Sequence, residues 1–300
     1  MNKESSVSSA DLPTCAVLLA AYNGERWIDE QLDSILNQKG VLPTIFVSVD
    51  SSTDQTLKII EHLASTDSRI KLLPYGERFG GASKNFYRLI KDVDVANFDM
   101  VAFADQDDIW MPDKLAAAWE QFSHEGYAAY SSDVIAFWSD GRKSTIKKSY
   151  PQKRFDYLYE AAGPGCTYVF SASAFKSIKG FVSQNYEECG KVALHDWLIY
   201  AYCREHKQSW FIDNEPRMLY RQHESNQIGT NDNWRAYVKR LNHVRRHWYR
   251  TQVILIARVC NSSSVNLVSN RWFMIRNFYE LRRRPRDVLA LLLMTCLGLF

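Results

Sequence analysis

Between residues 15 and 110 the chain alternates short apolar runs with segments whose apolar residues recur at helical spacing, and few folds accept that pattern. CAVLLAAY (15–22) is a buried-strand run that stops at the turn pair Asn23-Gly24. Residues 25–38 carry Ile28, Leu32, Ile35 and Leu36 on one helical face. TIFVSVD (44–50) is a second strand, and SSTDQT then offers caps to a helix carrying Leu57, Ile59, Ile60 and Leu63. IKLLPY (70–75) reads as a third strand and residues 83–90 as a helix. DMVAFADQDD (99–108) is a fourth strand that runs out into acid. Such alternation predicts an α/β fold, a mostly parallel sheet flanked by helices. Ligands of such sheets bind beyond the carboxyl ends of the strands. Three of those ends are polar here: Tyr22-Asn23-Gly24, Asp50 to Asp54, and Asp105 to Asp108.

The acid end carries the most chemistry. Carboxylates spaced D-x-D at a strand end suit a hard divalent cation, Mg2+ or Mn2+, which prefers oxygen ligands and joins carboxylates to substrate phosphates. A bound cation would also offset the mutual repulsion that otherwise raises one carboxyl pKa. The competing reading is a solvated turn and helix cap before Pro112-Asp113-Lys114. The buried strand that precedes the run, and Trp110 and Pro112 that follow it, favour a site.

Beyond Lys114 the pattern loosens. GPGCTYVFS (163–171) is a Gly-Pro-Gly turn and a strand-like run, and HDWLIYAYC (195–203) is an apolar helix opening on two polar residues. Residues 209–229 read as two short strands and a loop. From Trp234 onward, arginines alternate with aromatics and aliphatics in what the pattern predicts as long helices. The expected organisation is a disordered 1–13, a catalytic domain over 14–230, and a basic helical extension over 231–300.

AAYNGERWIDEQLDSILNQ, VSVDSSTDQT, FADQDDIWMPDKL, HDWLIY and MLYRQHESNQIG, in that order, resemble a family-2 glycosyltransferase of the GT-A fold. The nearest likeness is to the rhamnosyltransferase-like members that build bacterial surface polysaccharides such as O-antigen or capsule. The resemblance covers roughly residues 14–230. It implies an inverting transfer from a nucleotide-sugar donor, dTDP- or UDP-linked, to a hydroxyl of a polyprenyl-diphosphate-linked glycan. It assigns Ala21, Tyr22, Asn23, Asp50 and Asp105 to the donor nucleotide, Asp107 and His223 to the metal, and Asp196 to the general base. His195, Arg221 and Trp110 are implied as positioning residues. The second strand departs from the family's usual Asp-Asp-Gly-Ser by reading Val49-Asp50-Ser51-Ser52, and Arg78-Phe79-Gly80 stands where Asn-x-Gly is usual.

The rival readings are weaker. A phosphatase with an aspartyl nucleophile needs an acid at the end of the first strand, where Ala20 to Asn23 offer none. A non-catalytic nucleotide-sugar or carbohydrate-binding module on the same fold is the alternative. A net charge of +3, with no nucleic-acid reading motif, gives no case for nucleic acid. The charge is uneven, however, with thirteen Lys or Arg between Arg235 and Arg286 against one acid, Glu280. Basic residues beside Trp and Tyr favour an anionic lipid surface. Peripheral docking is therefore expected, on the inner face of the cytoplasmic membrane, where the acceptors implied by the resemblance sit. The apolar run 288–300 is thirteen residues long, short of the ~20 a spanning helix needs. The polar first thirteen residues lack a signal-peptide core, and six cysteines without a CxxC pair imply reduced thiols in a cytoplasmic protein.

Overall fold

A computed structural model describes residues 12–223 and 248–300. Strands β1 (Thr14–Ala21), β2 (Leu42–Val49), β3 (Ile70–Leu72) and β4 (Met100–Asp105) alternate with helices α1 (Ile28–Leu36), α2 (Thr56–Thr66) and α3 (Ala82–Asp92). A short β5 (Ile109–Trp110) and α4 (Lys114–Ser123) follow the acid turn. Then come β6 (Ala129–Ser132), β7 (Val134–Trp138), β8 (Lys143–Ile146), β9 (Val169–Ser171), α5 (Ala172–Gln184), the one-turn α6 (Tyr186–Cys189), α7 (His195–Glu205), β10 (Trp210–Asp213) and β11 (Met218–Gln222).

The main sheet has the order β10-β6-β9-β4-β1-β2-β3. Its β4-β1-β2-β3 half is parallel. β9 enters antiparallel between β4 and β6. The apolar run of β1 is what a strand covered on both faces requires. Ala16, Leu18 and Ala20 join one core with α3, α5 and α7, while Cys15, Val17, Leu19 and Ala21 join the other with α1, α2 and α4. The period of two along the strand thus sorts successive side chains into two hydrophobic layers. Leu18 and Leu19 are fully buried, so cutting either to Ala costs about 2–5 kcal/mol.

A second sheet, β5-β11-β7-β8, stands beside the acid turn. β11 pairs antiparallel with β5, Met218 opposite Trp110 and Leu219 opposite Ile109. The chain returning along β11 is thereby carried back to the turn that β5 leaves. Of this sheet the sequence pattern gave β11, the second of the two short strands expected over 209–229, whereas β5, β7, β8 and β6 were not legible in it.

The expected third strand over 70–75 stops at Leu72, and the carbonyl of Pro74 instead accepts from Arg88 Nη2 at 2.9 Å. The expected long C-terminal helices are shorter in the described residues: Trp248–Val259, Arg271–Arg276 and Pro285–Cys296. They share the α3/α5/α7 core through Val253, Ile256, Val268, Met274 and Leu291. Arg282 and Arg283, read as part of a lipid-facing basic cluster, turn inward. Arg283 Nε lies 3.3 Å from Asp156 and 3.4 Å from Glu160, and Arg282 Nη2 lies 3.6 Å from Asp287. The expected boundary at 230 and the basic-aromatic run 234–247 lie outside the described residues. All six cysteines are free thiols, five buried and Cys296 exposed.

Candidate active site

The carboxyl ends of β1, β2 and β4 meet at one edge and are tied together there. Tyr22 N donates to Gln106 Oε1 at 2.6 Å and Gln106 Nε2 donates back to Tyr22 O at 2.7 Å, which joins the end of β1 to the acid turn. Asn23 takes the left-handed conformation (φ 49°), which its short polar side chain tolerates. Its Oδ1 accepts from Thr53 N at 2.8 Å, joining β1 to the loop after β2. Asp50 is buried, and its carboxylate accepts from the N–H groups of Ser51, Phe79 and Gly80 at 2.7–2.9 Å. Among the residues implied for the nucleotide, Ala21 is buried and Asn23 and Asp50 spend acceptor capacity on the protein's own backbone. Tyr22, 52% exposed, presents an open ring.

The acid turn divides into an outer and an inner part. Asp107 is outer, and its Oδ2 lies 2.7 Å from Nε2 of His223, whose ring stacks on Trp27 at 4.1 Å. Arg221 clamps the turn from β11. Its N donates to Asp108 Oδ1 at 3.1 Å, its Nε donates to Asp107 O at 2.7 Å, and its Nη2 bonds Glu30. Asp105 ends β4 half-buried, with its carbonyl held by Gln31 Nε2 at 2.8 Å.

The inner part is a buried polar cluster. Asp108 is fully buried, and its ligand oxygen lies within 4.8 Å of those of Asp105 and of the Cys166 sulfur. Lys114, also fully buried, donates from Nζ to the Cys166 carbonyl at 2.6 Å and sits 3.3 Å from the Trp110 ring centroid. Burial, then the charges of Asp107 and Asp196, raises the Asp105 pKa. Burial, then Asp107 and Asp105, pushes Asp108 well above the usual carboxylate range. Burial lowers Lys114 to about 7, against the pull of its acidic neighbours. Crowded carboxylates in a low dielectric, with one amine behind them, behave in this way. Trp110, an implied positioning residue, is 3% exposed and packs the core under this cluster.

Asp196 stands on the first turn of α7, its Oδ1 accepting from Trp197 N at 2.7 Å. Burial raises its pKa to about 6, opposed by the nearby Lys148 charge. His195 is a packing residue. Its ring stacks on Phe86 at 4.0 Å, its Nε2 has no hydrogen-bond partner, and burial lowers its pKa to about 3. The neutral ring orients α7 and does not exchange protons near neutral pH.

One turn joins the two halves of the site. The Cys166 sulfur lies among the acids, and Gly165 lies against His195 and Asp196. A Cβ at Gly165 would sit 2.6 Å from His195 Nε2 and 3.2 Å from Asp196 Cβ, closer than side chains pack. Gly165→Ala is therefore expected to displace the start of α7 and lower kcat by about tenfold to a hundredfold, because small misplacements at a reacting centre carry such penalties. Steady-state assays with a melting curve check this, and an unchanged kcat would contradict the close packing. Sequence reasoning gave no role to Asp108, Lys114 or Gln106, and took Gly165 only to shape a turn. The one available signal was the length of the acid run, which exceeds what D-x-D needs. A hollow between α1 and α2, lined by Asp29, Asp33 and His62, contains none of these residues.

Residues 16–179 match the model of Glycosyl transferase family 2. The chain is 46% identical to the dTDP-rhamnosyl transferase RfbG of Shigella flexneri over 289 residues, 94% of this chain and 100% of that one. Among solved structures it resembles residues 1–349 of S. aureus TarS in complex with UDP-GlcNAc (TM-score 0.60, 15% identity, 95% of this chain and 80% of that one). It also resembles the mannosyltransferase PcManGT of Pyrobaculum calidifontis in complex with GDP-Man and Mn2+ (TM-score 0.54, 16% identity, 96% and 81%). The fold is that of the GT-A glycosyltransferases. With the family model spanning more than half of the sequence and a relative matched end to end, this chain belongs to glycosyl transferase family 2.

Proposed function

We propose that this enzyme moves rhamnose from dTDP-rhamnose to a hydroxyl of a lipid-linked glycan, with inversion at the anomeric carbon. The observation that carries the reading is the turn 165–166: the Cys166 sulfur lies within 4.8 Å of carboxylate oxygens of Asp105 and Asp108, and Gly165 packs against Asp196, so the acid cluster and the base are neighbours. The end-to-end similarity to a dTDP-rhamnosyl transferase supports the choice of sugar.

Asp107 and His223, a carboxylate and an imidazole 2.7 Å apart at the outer side of the turn, would hold a divalent ion, Mg2+ or Mn2+, while the Asp105 carboxylate lies with Asp108 and the Cys166 sulfur on the inner side. The inner set of Asp108 and Cys166 fits it poorly, because burial raises both the Cys166 thiol and the Asp108 carboxyl, and the Lys114 amine, bonded to the Cys166 carbonyl, already stands behind them. When bound, the ion neutralises charge that builds on the departing diphosphate. Arg221 fixes the turn that presents Asp107. Tyr22 offers its ring to the base, while Asn23 and Asp50 hold the loops on either side of it. Asp196, ionised above pH 6, takes the proton of the acceptor hydroxyl as that oxygen attacks. A single displacement needs no covalent enzyme intermediate.

The donor assignment is tested by thermal shift with dTDP, UDP and GDP, each with and without Mn2+. Stabilisation by dTDP over the other two, and only with metal, is expected. At ligand a hundred times Kd the gain is about 2.7 kcal/mol. A preference for UDP or GDP would sink the rhamnosyl reading.

Docking on the cytoplasmic face of a membrane is supported by the helix Pro285–Cys296. It exposes Leu289, Leu293 and Leu297 at four-residue spacing, and Trp272 on the helix packed beside it is 79% exposed. Among the described residues no helix is long and apolar enough to cross a membrane. Leu289→Glu with Leu293→Glu is expected to weaken sedimentation with phosphatidylglycerol vesicles at least tenfold while leaving the melting temperature unchanged. Unchanged sedimentation would remove these leucines from the docking surface.

A further inference from the structure

A cavity of roughly 780 Å3 lies between the β7–β8 hairpin and the C-terminal segment, with none of Asp105, Asp107 and Asp108 in its walls. Its walls include Arg142, Lys147, Lys148, Arg283, Arg284 and Arg286, and its acids are Glu160 and Asp287. Both acids are already engaged. Glu160 Oε1 accepts from Arg283 N at 2.5 Å, and Asp287 lies 3.6 Å from Arg282 and 3.3 Å from Arg286. Among the described residues no carboxylate pairs with Lys147, Lys148 or Arg284. Arg283 is 4% exposed, and its Nη1 has no hydrogen-bond partner. Arg283 is itself paired with Asp156 and Glu160, and Arg142 with Asp140, so the cations left for a ligand are Lys147, Lys148 and Arg284, with the one open N–H group of Arg283 behind them.

The walls are also held in shape before anything binds. The carboxylate of Asp133, 3% exposed, accepts from Lys148 N at 2.5 Å, Ser149 N at 2.8 Å and Ser149 Oγ at 2.9 Å. Lys148 packs against the Gly-Pro-Gly turn, where a Cβ on Gly163 would lie 3.6 Å from its Cγ. That turn continues into Gly165, which touches Asp196. Lys148 thus lines the cavity and is near enough to Asp196 to influence its charge.

We infer that this cavity is the acceptor's anion site: it takes a phosphate or diphosphate carried by the acceptor while the acceptor's hydroxyl meets Asp196. The inference rests on the reading of Asp196 as general base. Fixed cationic donors around a phosphate give both affinity and direction, with Arg fitting its oxygens in pairs and Lys acting as a point charge. The position fits such a ligand, since Arg284 and Arg286 lie at the start of the helix whose far turns expose Leu289, Leu293 and Leu297. An anion in the cavity and an apolar tail on that helix would belong to one molecule.

Calorimetric titration of the full chain in EDTA, with inorganic pyrophosphate in one arm and farnesyl diphosphate in the other, tests the site. Chelation keeps pyrophosphate off the metal face. Binding is expected in wild type, at least tenfold weaker in Lys148→Met/Arg286→Ala, and unchanged in Asp107→Ala. Tighter binding of farnesyl diphosphate than pyrophosphate identifies a lipid-borne phosphate, and equal binding identifies a site for the phosphate alone. Pyrophosphate affinity that survives Lys148→Met/Arg286→Ala, or that falls with Asp107→Ala, overturns the assignment. Failure of the base itself is read separately, as sugar transfer that persists in Asp196→Asn.

Discussion

Asp196→Asn is expected to lower the rate of sugar transfer by ~10^2- to 10^4-fold, the usual contribution of a positioned general base. The fold should survive, because an Asn oxygen can still accept from Trp197 N as Asp196 Oδ1 does at 2.7 Å. The pH profile carries the sharper signature. The Asp196 pKa is raised to about 6 by burial, with Lys148 opposing. The base must be ionised to work, so wild-type kcat should fall about tenfold per pH unit below 6 and level off above it. His195 cannot mimic this limb, since its own pKa is lowered to about 3. Steady-state rates from pH 4.5 to 8, at saturating metal, check both points. Near-wild-type turnover in Asp196→Asn, or an acid limb that persists in it, would remove the residue from the chemistry.

Asp107→Ala should cost as much by another route. It removes a carboxylate from the outer face of the turn and leaves His223 Nε2 without the oxygen 2.7 Å away. Charge stabilisation by a metal is worth several kcal/mol, and about 4 kcal/mol corresponds to ~10^3 in kcat/KM. The stabilisation by nucleotide plus Mn2+ should vanish with it. Asp108→Asn is the informative contrast. Asp108 is fully buried and its pKa is driven well above the carboxylate range, so an amide resembles its protonated form. That variant should keep metal-dependent nucleotide binding. Equal losses in the two variants would mean that the inner cluster, not the outer pair, holds the ion.

The parallel half of the sheet was legible because it obeys a simple rule. Strands covered on both faces must be largely apolar, and Cys15–Ala21, Ile45–Val47 and Met100–Ala104 are unbroken apolar runs. The site was legible at the strand ends for the same reason, as Asp105 and Asp107 interrupt an apolar run. What stayed hidden depends on contacts far apart in sequence. β6, β7 and β8 are short, and their pairing with β9, β10 and β11 leaves no local period. Lys114 reads as an ordinary helix lysine until the fold buries it behind Asp108 and under the Cys166 carbonyl. Gly165 reads as one of two turn glycines, and only the approach of α7 shows why no side chain fits there. Arg282 and Arg283 looked like surface charge, yet their partners Asp156 and Glu160 lie more than a hundred residues away along the chain.

The central claim is that the outer face of the acid turn holds a divalent ion opposite Asp196. Anomalous diffraction at the manganese edge, from crystals grown with Mn2+ and dTDP, tests it most directly. The account predicts one strong peak within coordination distance of Asp107, shared with the nucleotide's diphosphate and on the side of His223. A peak lodged among Asp108 and Cys166, or bound nucleotide with no manganese beside Asp107, would contradict it.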